Sequence, residues 1–506
     1  MNTPHAGDVT VAVVGTGTMG QGIAQVAAVA GHPVLLHDAV PGRAGQAVAA
    51  IGARLDRLVE KGRMEPAARD AARAALTPAD GPADLASAAL VVEAVAEQLS
   101  VKQQLFAELE EIVADDCVLA TNTSSLSVTA VAGGLRQPGR VVGLHFFNPA
   151  PLLPLVEVVS GRETDPFVAD FAHRTALAWG KTPVRCTDTP GFIVNRVARP
   201  FYAEAFRLLE ERAADAATID AVLCGAGGFR MGPFELTDLI GQDVNEAVTR
   251  SVWEAFFHHP KFVPSLAQRR LVESGLHGRK SDGGWYRYGE DAPERPAPHD
   301  APQGTPPQWV GFTDGPAPVR ELVALLEKSG VEVRRPAVAS DGFLTLPAGG
   351  RLFLADGSLA AGHGAGAVQF DLALDWAKAD RVALGPATGT APEALAEAVG
   401  LFQALGKQVS VVRDTPGMIV ARTVAMIVDF AADAVDSGVA SAADVDTAMR
   451  LGVNYPLGPV EWGGRLGAEW VHGVLGRLHA TYPTGRYAPS LGLSRWYLSP
   501  EGVLSS

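Results

Sequence analysis

Residues 143–149 read Gly-Leu-His-Phe-Phe-Asn-Pro, and a carboxylate, Glu157, follows His145 at a spacing of twelve. Glu157 sits among β-branched neighbours in Leu-Val-Glu-Val-Val, so it is expected to be half buried and to need a partner. A His–Glu pair fixes an imidazole tautomer and stabilises the imidazolium. That combination suits a base that removes a hydroxyl proton. On residue type and placement alone, His145 also reads as a structural histidine at a strand end, and Glu157 as an ordinary strand carboxylate.

A second constellation is Gly15-Thr-Gly17-Thr-Met-Gly20, which follows a short β-branched run and opens a helical pattern. The first glycine permits a tight turn, the second lets a diphosphate approach the backbone, and the third lets helix and strand pack closely. The diphosphate then meets unpaired N–H groups at the helix start. Asp38 ends the next apolar run, 23 residues after Gly15. A carboxylate there accepts ribose hydroxyls and repels a 2′-phosphate, which favours NAD over NADP. The competing reading is a glycine-rich βα turn without a ligand.

These residues need a parallel sheet to hold them. Strand patterns at 9–14, 33–37, 90–92, 117–120 and 140–144 alternate with helical stretches, as in an α/β sheet. From about 195 to 245 the apolar period is helical only. The segment 292–307, APERPAPHDAPQGTPP, holds six prolines and reads as a linker with neither helix nor central strand.

Beyond it, an offset of 226 residues carries Gly180-Lys181 onto Gly406-Lys407 and Asp188-Thr-Pro-Gly191 onto Asp414-Thr-Pro-Gly417. The same offset carries Gly232-Pro233 onto Gly458-Pro459. Such register means a duplicated helical domain. Ala421 replaces Asn195 and no His-Phe-Phe-Asn-Pro block precedes it, so the copy is expected to be non-catalytic. Between linker and copy, strand-like runs at 342–346 and 368–372 suggest a degenerate copy of the α/β domain without a glycine loop.

The expected architecture is therefore a Rossmann-type α/β domain (8–186), an all-α domain (187–290), a linker (291–308), a degenerate Rossmann-like segment (309–412) and a second all-α domain (413–506). The length of 506 residues suits three or four domains. A formal charge of −14 argues against nucleic acid as a partner. No apolar run reaches the roughly 18 residues of a membrane span. Three cysteines and a start without a basic leader point to the cytoplasm. His258-His259 and His363 lack companions at ligand spacing, so no metal is expected.

Further blocks occur in order: Val92-Glu-Ala-Val-x-Glu97, Asn122-Thr-Ser124-Ser, Asp188-Thr-Pro-Gly-Phe-Ile-Val-Asn195-Arg, Met231-Gly-Pro-Phe-Glu-Leu and Gly278-Arg-Lys280-Ser. With the glycine loop and the His145 block, this resembles the L-3-hydroxyacyl-CoA dehydrogenase family over residues 8–290, and through the repeat to about 480. The resemblance implies NAD-dependent oxidation of a 3-hydroxyacyl-CoA. His145 would be the base, Glu157 its orienting partner, and Ser124 and Asn195 neighbours of the substrate and nicotinamide. Gly15, Gly17, Gly20, Asp38, Glu97, Lys102, Ser124, Asn148 and Lys280 would serve the dinucleotide. Lys61, Ser124 and Arg54 would serve coenzyme A, although Arg54 stands where relatives often carry a small polar residue. Lys61 and Arg54 also read as ordinary surface cations.

The long form resembles bacterial enzymes of phenylacetate catabolism acting on 3-hydroxyadipyl-CoA. A 3-hydroxybutyryl-CoA enzyme is the nearer alternative and a non-catalytic NAD-binding scaffold the more distant one. Short relatives imply a dimer of helical domains. The duplication is expected to supply that partner internally, as a pseudo-dimer with the Pro-rich segment as tether, and further homo-oligomers stay open.

Overall fold

The first sheet is made of short apolar strands joined by loops and by helices of five to eighteen residues. They are β1 (Val11–Val14), β2 (Val34–His37), β3 (Leu76–Pro78), β4 (Leu90–Glu93), β5 (Val118–Thr121), β6 (Val141–Phe146), β7 (Leu155–Ser160) and β8 (Thr182–Thr187). The computed structural model describes residues 9–335 and 342–499. The expectation about a leader rests on residues 1–8, and the ends assigned to the first and last domains, 8 and 506, also fall outside that range.

The strand order is β3-β2-β1-β4-β5-β6-β7-β8. The first six strands run parallel, and β7 returns antiparallel to β6. Every residue of β1, β4, β5 and β6 is buried, as a sheet covered on both faces requires. The crossover after β1 is the helix Thr18–Val29, which buries Ile23, Val26 and Ala27 against the sheet.

The second sheet confirms a worn α/β copy. Its strands are β9 (Trp309–Gly311), β10 (Glu332–Arg334), β11 (Phe343–Thr345), β12 (Arg351–Leu354), β13 (Ala367–Phe370), β14 (Arg381–Pro386) and β15 (Gln408–Val411). Their order, β10-β9-β11-β12-β13-β14-β15, repeats that of the first sheet with one strand fewer, except that β11 runs antiparallel to both its neighbours. The repeat is also visible in buried side chains. Lys181 donates to the carbonyls of Ala150 and Leu153, and Lys407 donates to Trp376 and Ala379, each 226 residues on.

By contacts the chain forms two compact units, residues 1–195 with 438–453, and residues 196–437 with 454–506. The division in chain order expected from sequence therefore misses two crossings, one of them the helix Ala216–Gly225 of the first copy packing on β14. The helix Ala442–Gly452, from the second helical copy, packs on β7 and β8 of the first sheet. The Thr187 N–H donates to the Val439 carbonyl at 2.9 Å. In the other unit the corresponding bond runs from Arg413 N–H to the Ala213 carbonyl at 3.0 Å.

Within the second unit, helices of the two copies share a buried seam. Phe229 meets its counterpart Tyr455, with ring centroids 5.1 Å apart. Arg196 reaches Asp433 (2.7 Å) and lies over Phe256; its counterpart Arg422 reaches Glu211 (2.8 Å) and lies over Tyr482, the counterpart of Phe256. Glu204 is fully buried and accepts from Arg422, Arg486 and Tyr487. Burial alone would raise its pKa, but the two guanidinium charges and the phenol outweigh it and hold the carboxyl down at about 2.

The Pro-rich segment has no helix or strand, as expected, yet it is a packed strap and not a loose tether. Ala301 N–H donates to Val409 (2.7 Å), Asp300 pairs with Arg381 (2.6 Å), and a Cβ on Gly400 would lie 2.2 Å from the Thr305 backbone. Proline removes N–H groups from the strap, and those of His299, Ala301, Gly304 and Thr305 find partners on Thr218, on Val409 of β15 and on Gln403 and Ala396 of the helix Pro392–Ala404. Among the described residues no helix is long and apolar enough to cross a membrane, and no His/Cys/Asp/Glu group of three converges as a metal site.

Candidate active site

The three glycines after β1 have three different reasons to be glycine. Gly15 has φ +96°, and a Cβ there would sit 2.6 Å from the Ala94 carbonyl. A Cβ on Gly20 would sit 1.8 Å from the Gly15 carbonyl, so the helix must approach the turn as bare backbone. Gly17 has nothing within 4 Å of a would-be Cβ, so its bareness faces open space. That is the fit a dinucleotide diphosphate needs at a helix start. Asp38, at the end of β2, accepts from Thr16 N–H (3.0 Å), Thr16 Oγ1 (2.6 Å) and Val40 N–H (3.0 Å). Burial works against its charge, but these bonds and Arg43 prevail and hold the carboxyl below its usual range. It stays an anion with lone pairs left for ribose hydroxyls.

Four strands later, His145 on β6 stands directly across from Glu157 on β7 in the antiparallel register. Its Nδ1 lies 2.6 Å from Glu157 Oε2. The other carboxylate oxygen accepts the N–H groups of Ile193 (3.0 Å) and Val194 (2.9 Å), at the start of the helix Val194–Val197. Glu157 is thus buried but fully partnered, and its position is set from two sides. The Phe147 and Phe192 rings flank the imidazole, with centroids 4.5 and 5.8 Å away. Phe146 N–H is held by Asn122 Oδ1 (2.8 Å), which fixes the strand end carrying His145.

Glu97 organises the loop after β5. It accepts from Thr123 Oγ1 (2.6 Å), Ser124 N–H (3.0 Å), and Ser125 N–H (3.1 Å) and Oγ (3.0 Å). Burial would raise its pKa; the Thr123 bond and the Lys102 charge outweigh that and lower it. Asn195 Nδ2 reaches the Ser124 carbonyl at 3.4 Å, so Ser124 and Asn195 do meet. Lys102 is buried, and its ammonium is spent on Glu93 (2.5 Å) and Glu97 (3.3 Å). Its effect on a ligand therefore passes through Glu97. Lys280 lies in the second unit, where it pairs with Asp243 (2.6 Å).

A cleft of about 850 Å³ in the first unit is lined by Thr18, Gly22, Arg54, Lys61 and Asn148, with Arg57 and Arg63 beside them. Arg54 donates to Gln25 (3.1 Å) and Gln21 (2.9 Å), while its Nη2 is buried without a partner. A half-satisfied guanidinium in a cationic cleft suits a phosphate-bearing ligand.

Sequence reasoning missed Asn122 as a strand clamp, Glu93 as the anchor of Lys102, and the two amides that seat Glu157. Asn122 and Glu93 lay inside noticed motifs, but backbone amides leave no sequence signal. It also missed what replaces the histidine in the second copy. The 226-residue offset carries His145 onto Asp371, which follows the end of β13. Asp371 is buried and accepts the N–H groups of Ile419, Val420 and Ala421. Burial outweighs those bonds and pushes its pKa up to about 6. Glu157's counterpart is Ala383, so one carboxylate on the opposite strand seats the helix and no imidazole remains.

Comparisons with known proteins agree with this geometry. A model described as "3-hydroxyacyl-CoA dehydrogenase, NAD binding domain" matches residues 10–189. The C-terminal domain model of the same family matches twice, at 191–288 and 417–501. A "3-hydroxybutyryl-CoA dehydrogenase reduced Rossmann-fold domain" matches 352–416. The chain is 43% identical over 504 residues to a 3-hydroxyadipyl-CoA dehydrogenase of Escherichia coli K12, covering 98% of this chain and 99% of that one. It is 39% identical over 284 residues to mitochondrial hydroxyacyl-coenzyme A dehydrogenase of Sus scrofa, covering 55% and 90%. The crystal structure of a 3-hydroxybutyryl-CoA dehydrogenase from E. coli K12 superposes with a TM-score of 0.87 at 42% identity, covering 97% of this chain and 98% of that chain.

Proposed function

The chain belongs to the 3-hydroxyacyl-CoA dehydrogenase family, and on that premise we propose that His145 is its general base and Glu157 the residue that orients it. The enzyme oxidises a 3-hydroxyacyl-CoA to the 3-oxoacyl-CoA with NAD. NAD supplies the hydride acceptor. His145 takes the hydroxyl proton on Nε2, because Nδ1 is committed to Glu157 at 2.6 Å. That single contact carries the reading: a buried carboxylate holds the imidazole in the one tautomer whose free nitrogen is a base. Ser124 and Asn195, joined at 3.4 Å, are placed to orient the reacting hydroxyl. Gly15, Gly17, Gly20 and Asp38 take the dinucleotide, with Glu97 shaping the adjoining loop. Arg54 and Lys61 line the cleft we assign to coenzyme A, and Asn148, given by the resemblance to the dinucleotide, lines the same cleft.

We favour 3-hydroxyadipyl-CoA as the acyl substrate, since the relative so named matches nearly end to end. 3-Hydroxybutyryl-CoA is the second reading, because the E. coli enzyme whose structure superposes on this chain is named for that substrate. A panel of straight-chain and ω-carboxyl 3-hydroxyacyl-CoAs separates them. A higher kcat/KM for the ω-carboxyl substrate is expected, and preference for the four-carbon substrate overturns the adipyl reading.

We read the duplicated helical domains as an internal pseudo-dimer. Isologous interfaces place the same patch on both sides. The Arg196–Ser437 (3.5 Å) and Arg422–Glu211 (2.8 Å) contacts, related by the 226-residue offset, and the Phe229–Tyr455 contact support this. The three unpaired cysteines suit a reducing cytoplasm.

A further inference from the structure

The helix Ala442–Gly452 is chain from the non-catalytic copy, yet it packs on the strand that carries Glu157. Its last residue is a glycine without a backbone reason to be one. Gly452 lies within the helix and is absent from the residues with positive φ, so its conformation suits any L-residue. Glycine is a poorer helix former than alanine. The reason lies across the contact. A Cβ on Gly452 would stand 2.7 Å from Leu155 Cδ2 and 3.1 Å from Val194 Cγ2.

Both neighbours belong to the seat of the base. Leu155 is fully buried and begins β7, two residues before Glu157. Val194 gives its N–H to Glu157 Oε1 at 2.9 Å. Glu157 then meets His145 at 2.6 Å. A side chain at 452 therefore pushes on the first side chain of the strand that carries Glu157 and on the side chain of Val194, whose N–H holds that carboxylate. The mirror position makes a useful contrast. In the second unit the offset places Ala226 where Gly452 stands, and Arg381 where Leu155 stands. A Cβ is accommodated there, beside a strand whose own counterpart of Glu157 is Ala383. There the close approach to the strand falls one residue earlier, at Gly225, where a Cβ would lie 2.7 Å from Arg381 Cβ, so at the mirror of Gly452 itself a side chain fits.

We propose that Gly452 is a positioning residue for the catalytic pair: it lets the second copy's helix close on Leu155 and Val194 at the distance that seats Glu157 against His145. The duplicated domain then serves the chemistry of the first half although it has lost its own. This rests on the assignment of His145 and Glu157 above.

The test uses the full-length enzyme, with NADH-dependent reduction of acetoacetyl-CoA. Gly452→Val is expected to lower kcat by roughly 10- to 100-fold, the order lost when a catalytic group moves by about 1 Å, with KM for both substrates nearly unchanged. Leu155→Ala, placed in that background, opens the space the new side chain needs and is expected to restore most of kcat. Ala226→Val, at the mirror position, is the control for packing damage: it is expected to lower thermal stability while leaving kcat alone. Unchanged kcat in Gly452→Val beside a slow Glu157→Gln overturns the positioning role and leaves the base assignment standing. A loss that Leu155→Ala fails to relieve, or that Ala226→Val reproduces, also overturns it. A fast Glu157→Gln overturns both readings.

Discussion

Replacing Glu157 by glutamine and by alanine should give opposite rankings for rate and for stability. One oxygen of Glu157 accepts two amides, from Ile193 and Val194, and the other faces His145 Nδ1. In Glu157→Gln the amide oxygen must stay with the two N–H groups, because its NH₂ cannot accept from them. The NH₂ then faces Nδ1, which becomes an acceptor, and the imidazole proton moves to Nε2. The base is blocked by its own tautomer, which costs roughly 10⁴-fold in kcat, or about 5.5 kcal/mol of barrier. In Glu157→Ala the imidazole is free to keep the productive tautomer and loses only its counter-charge, so a smaller loss of roughly 10²- to 10³-fold is expected. Stability runs the other way. The alanine variant strands two buried N–H groups at about 1–3 kcal/mol each, while the glutamine variant keeps both bonds. Single-turnover rates and urea unfolding of the two variants read these effects separately. Equal rates for the two variants, or a faster glutamine variant, would refute the tautomer argument.

Other outcomes follow from the same contacts. His145→Gln should lower kcat by roughly 10²- to 10⁴-fold with little change in NAD affinity, read by NADH fluorescence titration. Asp38→Ala should raise kcat/KM with NADP relative to NAD, since the carboxylate that meets the ribose is gone; a wild type already indifferent to the two would contradict this. The Glu204 carboxyl has its pKa lowered to about 2, so its stabilising contribution is complete above its ordinary value of 4.5 and is lost as pH falls toward 2. Denaturation at pH 7, 5, 4 and 3 should show that acid limb flattened in Glu204→Gln, whose overall stability is also lower. A chain ended after residue 290 should aggregate or form a new homodimer on size-exclusion chromatography, because Phe229 and Glu204 lose the cover of Tyr455, Arg422 and Arg486.

What the sequence determined by itself is what depends on short stretches of backbone. The Gly15–Gly20 turn was legible because its demands are local, a positive φ at Gly15 and a bare approach at Gly20. The duplication was legible because both copies keep the same turns at one offset, and His145 because a strand end places it at the ligand-binding edge. Partners chosen across space were not. That Glu157 answers to two amides, and that Lys102 is consumed by Glu93, depends on atoms with no sequence signature of their own. That the Pro-rich segment is a strap was decided by Gly400 leaving room for Thr305. Composition could show only that the segment was neither helix nor strand. The crossing of Ala442–Gly452 onto the first sheet was least legible of all. Its apolar pattern follows that of its counterpart in the first copy, and the pattern of a helix says which face is apolar but not which sheet it will cover. That choice is made by contacts between residues far apart in the chain, the Val439 carbonyl taking the N–H of Thr187 in one unit and the Ala213 carbonyl that of Arg413 in the other.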